Sequence, residues 1–129
     1  MALEMFNDPE RREQYLEGYA EDVVLHGYPP DLPPGREGAA AFYQMIWSAF
    51  PDARVTAEEY VEGEERVAVL YRLKGTHRGD FMGVSPSNAT IDVPGMTIIR
   101  FDDGKIAERW NVLDQLTLLQ QLGAIPAPG

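Results

Sequence analysis

The chain of 129 residues contains no cysteine, and this absence removes several classes of site at once. Without thiols there is no disulfide framework, no thiolate nucleophile and no cysteine-based zinc site. Basic residues are also scarce, because 11 Lys and Arg face 21 Asp and Glu, for a formal net charge of −10. A surface this acidic repels phosphate backbones and anionic lipids, so we expect no nucleic-acid partner and no membrane partner.

Long apolar runs and common catalytic motifs are missing as well. No stretch approaches the roughly 20 apolar residues that span a bilayer. The first residues lack the basic start and apolar core of a signal peptide, which predicts a cytoplasmic protein. The chain has no phosphate-binding loop, Rossmann fingerprint or nucleophile-elbow motif. Its 2 histidines lack the helical spacing of a metal-binding pair, so we predict no metal site.

The order of the predicted elements indicates the fold class. The spacing of apolar residues predicts helices over 9–19 and 36–50 and a short apolar run over 23–26. Strands are predicted over 54–61, 66–76, 90–93, 96–101 and 106–112, followed by a helix over 116–122. The turn Asp102-Asp103-Gly104 predicts a hairpin, and Pro94-Gly95 predicts a bulge or bend before residue 96. Helices on one face of a strongly curved, mostly antiparallel sheet form an α+β cone that encloses a pocket. We expect one domain over residues 1–129.

Asp114, which lies where the last strand meets the last helix, has two competing interpretations. Period-2 alternation puts Ile106, Trp110, Val112 and Asp114 on one face, provided that no bulge intervenes. As an N-cap, Asp114 would accept a hydrogen bond from the helix, and its pKa would be lowered. As a pocket carboxylate against Trp110, it would have a raised pKa and could move protons.

The 2 histidines are the other candidates for proton transfer. His77 continues the parity of the apolar face of strand 66–76, and His26 directly precedes a glycine and a proline-rich loop. A neutral imidazole beside a carboxylate in an apolar cavity suits proton removal next to a carbonyl group. Most of the aromatic residues of the helix over 36–50 are expected to be core, although one or two of them could line a cavity.

Epoxide hydrolysis is a further alternative from the residues. It needs a carboxylate–arginine–carboxylate set, for which Asp80, Arg100 and Asp114 are the candidates. This alternative requires Arg100 to point toward Asp114. A cross-strand pair between Arg100 and Glu108 is the competing expectation.

Four segments in order carry a resemblance to a known family. They are YAEDVVLHGYP, LPPGREGAAAFYQMIWSAFPD, LKGTHRGDFMGVSPS and GMTIIRFDDGKIAERWNVLDQLTLLQQLG. The sequence resembles the SnoaL-like polyketide cyclases of the nuclear-transport-factor-2-like superfamily. The resemblance implies a cone-shaped α+β barrel with an apolar pocket, a homodimer through the open sheet face, and no cofactor or metal. It also implies that Asp114 is the general acid/base of an intramolecular aldol ring closure.

With the resemblance included, we expect a small-molecule enzyme that performs acid/base chemistry on an apolar carbonyl compound, for which a polycyclic compound is one candidate. Asp114 and His77 are the predicted catalytic residues, with the pKa of Asp114 raised by Trp110. The predicted substrate contacts are His26, Trp110, Phe42, Ile46, Phe81 and Met82. The alternative is a non-catalytic module of the same fold that binds a small ligand or a protein.

Overall fold

The computed structural model describes residues 2–125, with side chains from residue 4 onward. The helices are α1 (Ala2–Asn7), a 3-10 turn (Pro9–Arg11), α2 (Arg12–Glu17), α3 (Arg36–Ala49) and α4 (Gln115–Gln121). The strands are β1 (Tyr19–His26), β2 (Arg54–Glu62), β3 (Arg66–Thr76), β4 (Thr90–Asp102) and β5 (Lys105–Leu113). The predicted α+β class is therefore confirmed.

The five strands form one sheet in the order β1-β5-β4-β3-β2. The β2–β3, β3–β4 and β4–β5 pairs are antiparallel, whereas β1 runs parallel to β5. Because β1 and β2 each have one neighbour, the sheet is not closed into a barrel. The β4–β5 hairpin turns at Asp103 and Gly104, which both have positive φ, and this confirms the turn predicted from Asp-Gly.

α3 and the N-terminal helices cover one face of the sheet, which we call the inner face. Phe6, Tyr15, Tyr19, Tyr43 and Trp47 are buried there, and neighbouring rings stand 5.3–6.1 Å apart, mostly edge to face. Aromatic rings bury much apolar area per residue, so this cluster is the main apolar packing contact between the helices and the sheet.

Asn7 fastens α1 to the exposed edge of the sheet. Its side-chain Nδ2 donates to the Val55 carbonyl at 3.0 Å, and its Oδ1 accepts from the Val55 N–H at 2.7 Å. The amide thus pairs with an edge strand as another backbone would, and it satisfies groups that an edge leaves open. These two hydrogen bonds hold α1 beside the first residues of β2.

Two sequence expectations are wrong in detail. Tyr19 begins β1 rather than continuing the preceding helix, because the helix ends at Glu17 and Gly18. β4 also continues through Pro94 and Gly95, which pair in register with Arg72 and Tyr71. Neither residue breaks the strand, since register with β3 is kept on both sides of the pair.

Within residues 2–125, no helix is both long enough and apolar enough to cross a bilayer.

Gly95 gives a test of how tightly the strands position the inner face. A Cβ added at Gly95 would meet the ring of Tyr71, which lies directly opposite in the β3–β4 register. We expect Gly95→Ala to lower the free energy of unfolding by about 1–3 kcal/mol, because the ring must move. Urea unfolding measures this loss.

Gly63→Ala is the matched control, since a Cβ there meets its nearest neighbour at an ordinary 3.5 Å. Equal stabilities for the two variants would show that the Tyr71 ring has room to yield.

Candidate functional site

A small cavity lies between α3 and the inner face of the sheet. It encloses about 50 Å³, several times the roughly 10–15 Å³ that one water needs. Its wall is mostly apolar, and Arg109 and Asn111 add polar groups from the centre of the sheet. The lining residues are Phe6, Tyr15, Phe42, Tyr43, Ile46, Val55, Tyr71, Leu73, Arg109, Asn111 and Leu113.

A bulge in β5 decides which of its side chains reach this cavity. Ile106 pairs with Phe101, but Glu108 pairs with Arg100, so Ala107 is an extra residue without a partner on β4. The bulge reverses the alternation, because two residues on one strand then oppose one on the other. Arg109, Asn111 and Leu113 therefore face inward, whereas Glu108, Trp110 and Val112 face outward.

Arg109 is the charged group at the centre of the cavity wall. Its Nη1 donates to the hydroxyls of Tyr15 at 2.9 Å and Tyr19 at 2.6 Å, and its Nε donates to Thr97 Oγ1 at 3.0 Å. The guanidinium also lies 5.9 Å from the centre of the Tyr43 ring. A cation is thus held among neutral oxygen atoms and an aromatic face.

The surrounding tyrosines are neutral at physiological pH. Burial raises the pKa of Tyr19, Tyr28 and Tyr43 well above the usual value. Burial by itself lowers the pKa of Arg109, but the neighbouring tyrosines raise it, and the net pKa lies well above the ordinary one. The wall therefore presents a permanent positive charge and protonated hydroxyls.

Tyr71 and Asn111 complete the polar side of the cavity. The Tyr71 hydroxyl donates to Asn111 Oδ1 at 2.7 Å, and burial raises the pKa of Tyr71. This bond uses only the Oδ1 atom of Asn111, so its Nδ2 group can donate to other partners. A ligand oxygen in the cavity would therefore meet guanidinium, hydroxyl and amide donors.

Asp114 is the N-cap of α4. Its Oδ1 accepts from the Thr117 N–H at 3.1 Å, and its Oδ2 accepts from Thr117 Oγ1 at 2.7 Å. These two hydrogen bonds hold the pKa of Asp114 below its usual value. The expectation of a pKa raised by Trp110 is wrong, because the carboxylate lies at a helix terminus and Trp110 lies on the outer face.

His77 is fully buried but is not among the cavity-lining residues. Its Nδ1 accepts from the Ser87 N–H at 3.2 Å, and its ring packs 5.6 Å from that of Phe50. Its Nε2 is buried and has no hydrogen-bond partner among the described residues. His77 and Asp114 are not hydrogen-bonded to each other, since His77 bonds to Ser87 and Asp114 bonds to Thr117.

Trp110 and His26 lie together on the outer face of the sheet, not in the cavity. Their rings stack at 4.9 Å, and His26 Nε2 lies 2.7 Å from Glu108 Oε2. Hydrogen bonds from His26 and Arg100 lower the pKa of Glu108. Trp110 and Ile106 share a face only without a bulge, and the bulge at Ala107 puts them on opposite faces.

Arg100 also belongs to this outer group. Its Nε donates to Glu108 Oε1 at 3.1 Å, directly across the β4–β5 pair. The carboxylate–arginine–carboxylate set of Asp80, Arg100 and Asp114 is therefore not assembled, and the cross-strand pair is formed instead.

The remaining predicted substrate contacts divide between the cavity and the loop after β3. Phe42 and Ile46 line the cavity, whereas Phe81 and Met82 do not. Phe81 is buried against Phe50 at 5.4 Å, and Met82 is exposed. The sites of Phe42 and Ile46 agree with a ligand-contacting role, which stays a prediction.

Sequence reasoning missed Arg109, Asn111 and the tyrosine hydroxyls. One signal was available: an arginine in the middle of an apolar strand, in a chain with 6 tyrosines, is costly to bury without partners. The inward orientation of Arg109 was not predictable, because it depends on the bulge. Within residues 2–125, no group of three His, Asp or Glu side chains could hold a metal ion.

Comparison with known proteins identifies the family. The family model for SnoaL-like polyketide cyclases matches residues 2–122. The chain belongs to the SnoaL-like polyketide cyclase family. A comparison with curated proteins finds no match.

Solved structures of SnoaL-like proteins are similar along most of their length. IdmH, a candidate polyketide cyclase from Streptomyces antibioticus, is 33% identical, with 94% of this chain and 92% of that one covered and a TM-score of 0.77. AclR, a candidate hydroxylase from Streptomyces galilaeus, is 26% identical, with 99% and 80% covered and a TM-score of 0.85. A candidate SnoaL-like polyketide cyclase from Jannaschia sp. CCS1 is 28% identical, with 94% and 84% covered and a TM-score of 0.79.

The N-cap geometry of Asp114 predicts a specific titration. Because its folded pKa is below that of the unfolded chain, the ionised carboxylate stabilises the fold above the unfolded value of about 3.9. This contribution is lost as the pH falls through the folded pKa. We expect NMR titration to give a lowered pKa for Asp114 that Trp110→Ala leaves unchanged.

Thr117→Val is the comparison variant, since it removes the hydroxyl that donates to Oδ2 and keeps the backbone donor. The pKa of Asp114 should rise toward its ordinary value in this variant. An Asp114 pKa above the ordinary value that falls in Trp110→Ala would contradict the N-cap assignment.

Proposed function

We propose that this protein is a cofactor-independent enzyme of the cyclase type, which acts on a small, largely apolar carbonyl compound in the cavity under α3. The observation that carries the proposal is Arg109, a cation at the wall of an apolar cavity, held by the hydroxyls of Tyr15 and Tyr19. Preorganised donors of this kind stabilise negative charge that develops on an oxygen during reaction.

The proposed step begins with loss of a proton from a carbon next to a carbonyl group. The electron pair of the C–H bond moves toward the carbonyl carbon, and the oxygen becomes an enolate that faces Arg109. In an aldol ring closure, the enolate carbon then bonds to a second carbonyl carbon of the same molecule. The second oxygen becomes an alkoxide and takes up a proton, so charge and atoms balance.

Asp114 is the proposed proton acceptor. It directly follows Leu113, which lines the cavity, and its lowered pKa keeps it ionised at neutral pH. Asp114 is not among the residues that line the cavity, so acceptance of a proton from a ligand requires its side chain to turn toward the cavity. A carboxylate with a low pKa is a weak base, so the step depends on strong stabilisation of the enolate by Arg109.

The size of the cavity limits the ligand. At about 50 Å³, it is smaller than the roughly 300–1,000 Å³ typical of ligand pockets. Phe42, Val55 and Leu113 are half-buried and form part of the wall, so movement of these side chains would enlarge the space. A polycyclic ligand needs such movement, whereas a ligand with one or two rings needs less.

Exchange of α-hydrogens with solvent deuterium tests this proposal without knowledge of the natural substrate. The probe is 2-tetralone, an apolar ketone, followed by NMR in D₂O. We expect the protein to accelerate exchange over buffer and Asp114→Asn to lose roughly 10²–10⁴-fold of the acceleration. Asparagine is itself a good N-cap residue, so this variant should keep the fold.

Arg109→Met should also abolish the acceleration, because the enolate loses its cation. Arg100→Met is the matched control, since Arg100 pairs with Glu108 on the outer face. If the wild-type protein binds the ketone but exchanges its hydrogens no faster than Arg109→Met does, the protein is a non-catalytic binding module and not an enzyme.

We also propose that the protein forms a homodimer through the outer face of the sheet. Exposed apolar side chains are concentrated there, around an open hollow of about 470 Å³. Contiguous apolar patches of this kind mark interaction sites, and a second copy of the same face supplies matching apolar surface. The exposed members are Tyr60, Val61, Met96, Ile98 and Val112.

Val112→Glu tests the homodimer, because it places a charge in the centre of the face. We expect sedimentation analysis to show a dimer for the wild type and a monomer for Val112→Glu. Leu116→Glu is the control, since Leu116 is equally apolar and exposed but lies on α4. A wild type that is monomeric at high micromolar concentration would overturn this assignment.

A further inference from the structure

Arg109 has no counter-charge in the cavity. Its three hydrogen bonds all go to neutral oxygens, those of Tyr15, Tyr19 and Thr97. Within residues 2–125, none of the cavity-lining side chains is acidic. Even a half-buried cation without a partner charge costs free energy, so keeping Arg109 there lowers the stability of the fold.

The nearest carboxylate along the chain is turned away. Glu108 precedes Arg109 directly, but it points to the outer face, where its two oxygens bind His26 and Arg100. The same bulge that turns Arg109 inward turns Glu108 outward. The sheet thus separates a charge pair that is adjacent in sequence and leaves the positive member inside.

Two pairs of tyrosine hydroxyls around the cavity also each have a proton without a protein acceptor among the described residues. The hydroxyls of Tyr15 and Tyr19 lie 2.9 Å apart, and those of Tyr28 and Tyr43 lie 2.7 Å apart. In each pair one hydroxyl donates to the other, so each pair keeps one hydroxyl proton that is not used within the pair. Tyr71 uses its proton on Asn111 Oδ1, which consumes an acceptor. A bound anion would supply both a counter-charge for Arg109 and acceptors for these protons.

We infer that the cavity binds small organic acids as their anions, with the carboxylate against Arg109 and the apolar body against Phe42 and Ile46. This inference rests on the proposed function only in placing the ligand in this cavity. The carboxylate occupies the position proposed for the enolate oxygen, because both need the same cation. Organic acids of matching size are therefore competitive ligands for the carbonyl compound and regulate access to the site.

The two carboxylate oxygens have defined partners in this arrangement. Arg109 Nη2 has no hydrogen-bond partner among the described residues, whereas Nε and Nη1 are occupied. One carboxylate oxygen accepts from Nη2. The other accepts from the hydroxyl of the Tyr15–Tyr19 pair that does not donate to its neighbour. Charge-assisted hydrogen bonds of this type are roughly twice as strong as neutral ones, so the anion is preferred over a neutral compound of the same shape.

Binding of benzoate and benzamide, measured by calorimetric titration, tests the inference. The two probes have nearly the same shape and differ in charge. We expect benzoate to bind the wild-type protein about tenfold or more tightly. Arg109→Met should remove this preference, while Arg100→Met should retain it. Benzoate should also shift the NMR signals of Arg109 Nε–H and Asn111 Nδ2.

Equal affinity for the two probes, or no binding of benzoate at millimolar concentration, overturns the inference. Benzoate shifts confined to the outer face overturn it as well. If Arg109→Met does not fold, the wild-type comparison with the NMR shifts decides by itself.

The outcome is separable from that of the exchange experiment. Benzoate preference without ketone exchange supports the anion site and removes the proposed enzyme. Ketone exchange without benzoate preference supports the proposed enzyme and removes the anion site.

Discussion

The contact between Arg109 and the hydroxyls of Tyr15 and Tyr19 is the interaction on which the rest of the structure depends. It joins β5 to α2 and to β1, and through Thr97 it reaches β4. The tyrosines in turn belong to the aromatic cluster under α3. This one half-buried cation therefore positions the N-terminal helices over the sheet and determines the polarity of the space that they cover.

The two faces of the sheet have opposite chemical character. The inner face holds an apolar cavity with a guanidinium and neutral hydroxyl donors. The outer face holds the His26–Glu108–Arg100 group beside exposed apolar side chains. A β5 side chain on the inner face contacts the cavity, whereas one on the outer face does not. The register of β5 therefore matters more for function than the amino-acid composition of this strand does.

The fold was predictable in its main parts because local signals agreed with the tertiary structure. Asp-Gly marked the β4–β5 hairpin, the dense aromatic spacing marked α3, and alternation marked β3. The N-cap interpretation of Asp114 also followed from its place before a short helix. The family resemblance outweighed that local signal for Asp114, and the structure shows the carboxylate engaged as the local signal indicated.

The order of most helices and strands, the α+β class and the acidic surface could be predicted from the sequence, since each depends on periodicity, turn residues or composition. The family followed from the resemblance of four segments. The tertiary structure alone decided which side chains share the cavity. The bulge at Ala107 has no local signature, because it arises from the pairing of β4 with β5. That one unpaired residue directs Arg109 inward and Trp110 outward, and strand alternation transmits the change to every residue that follows.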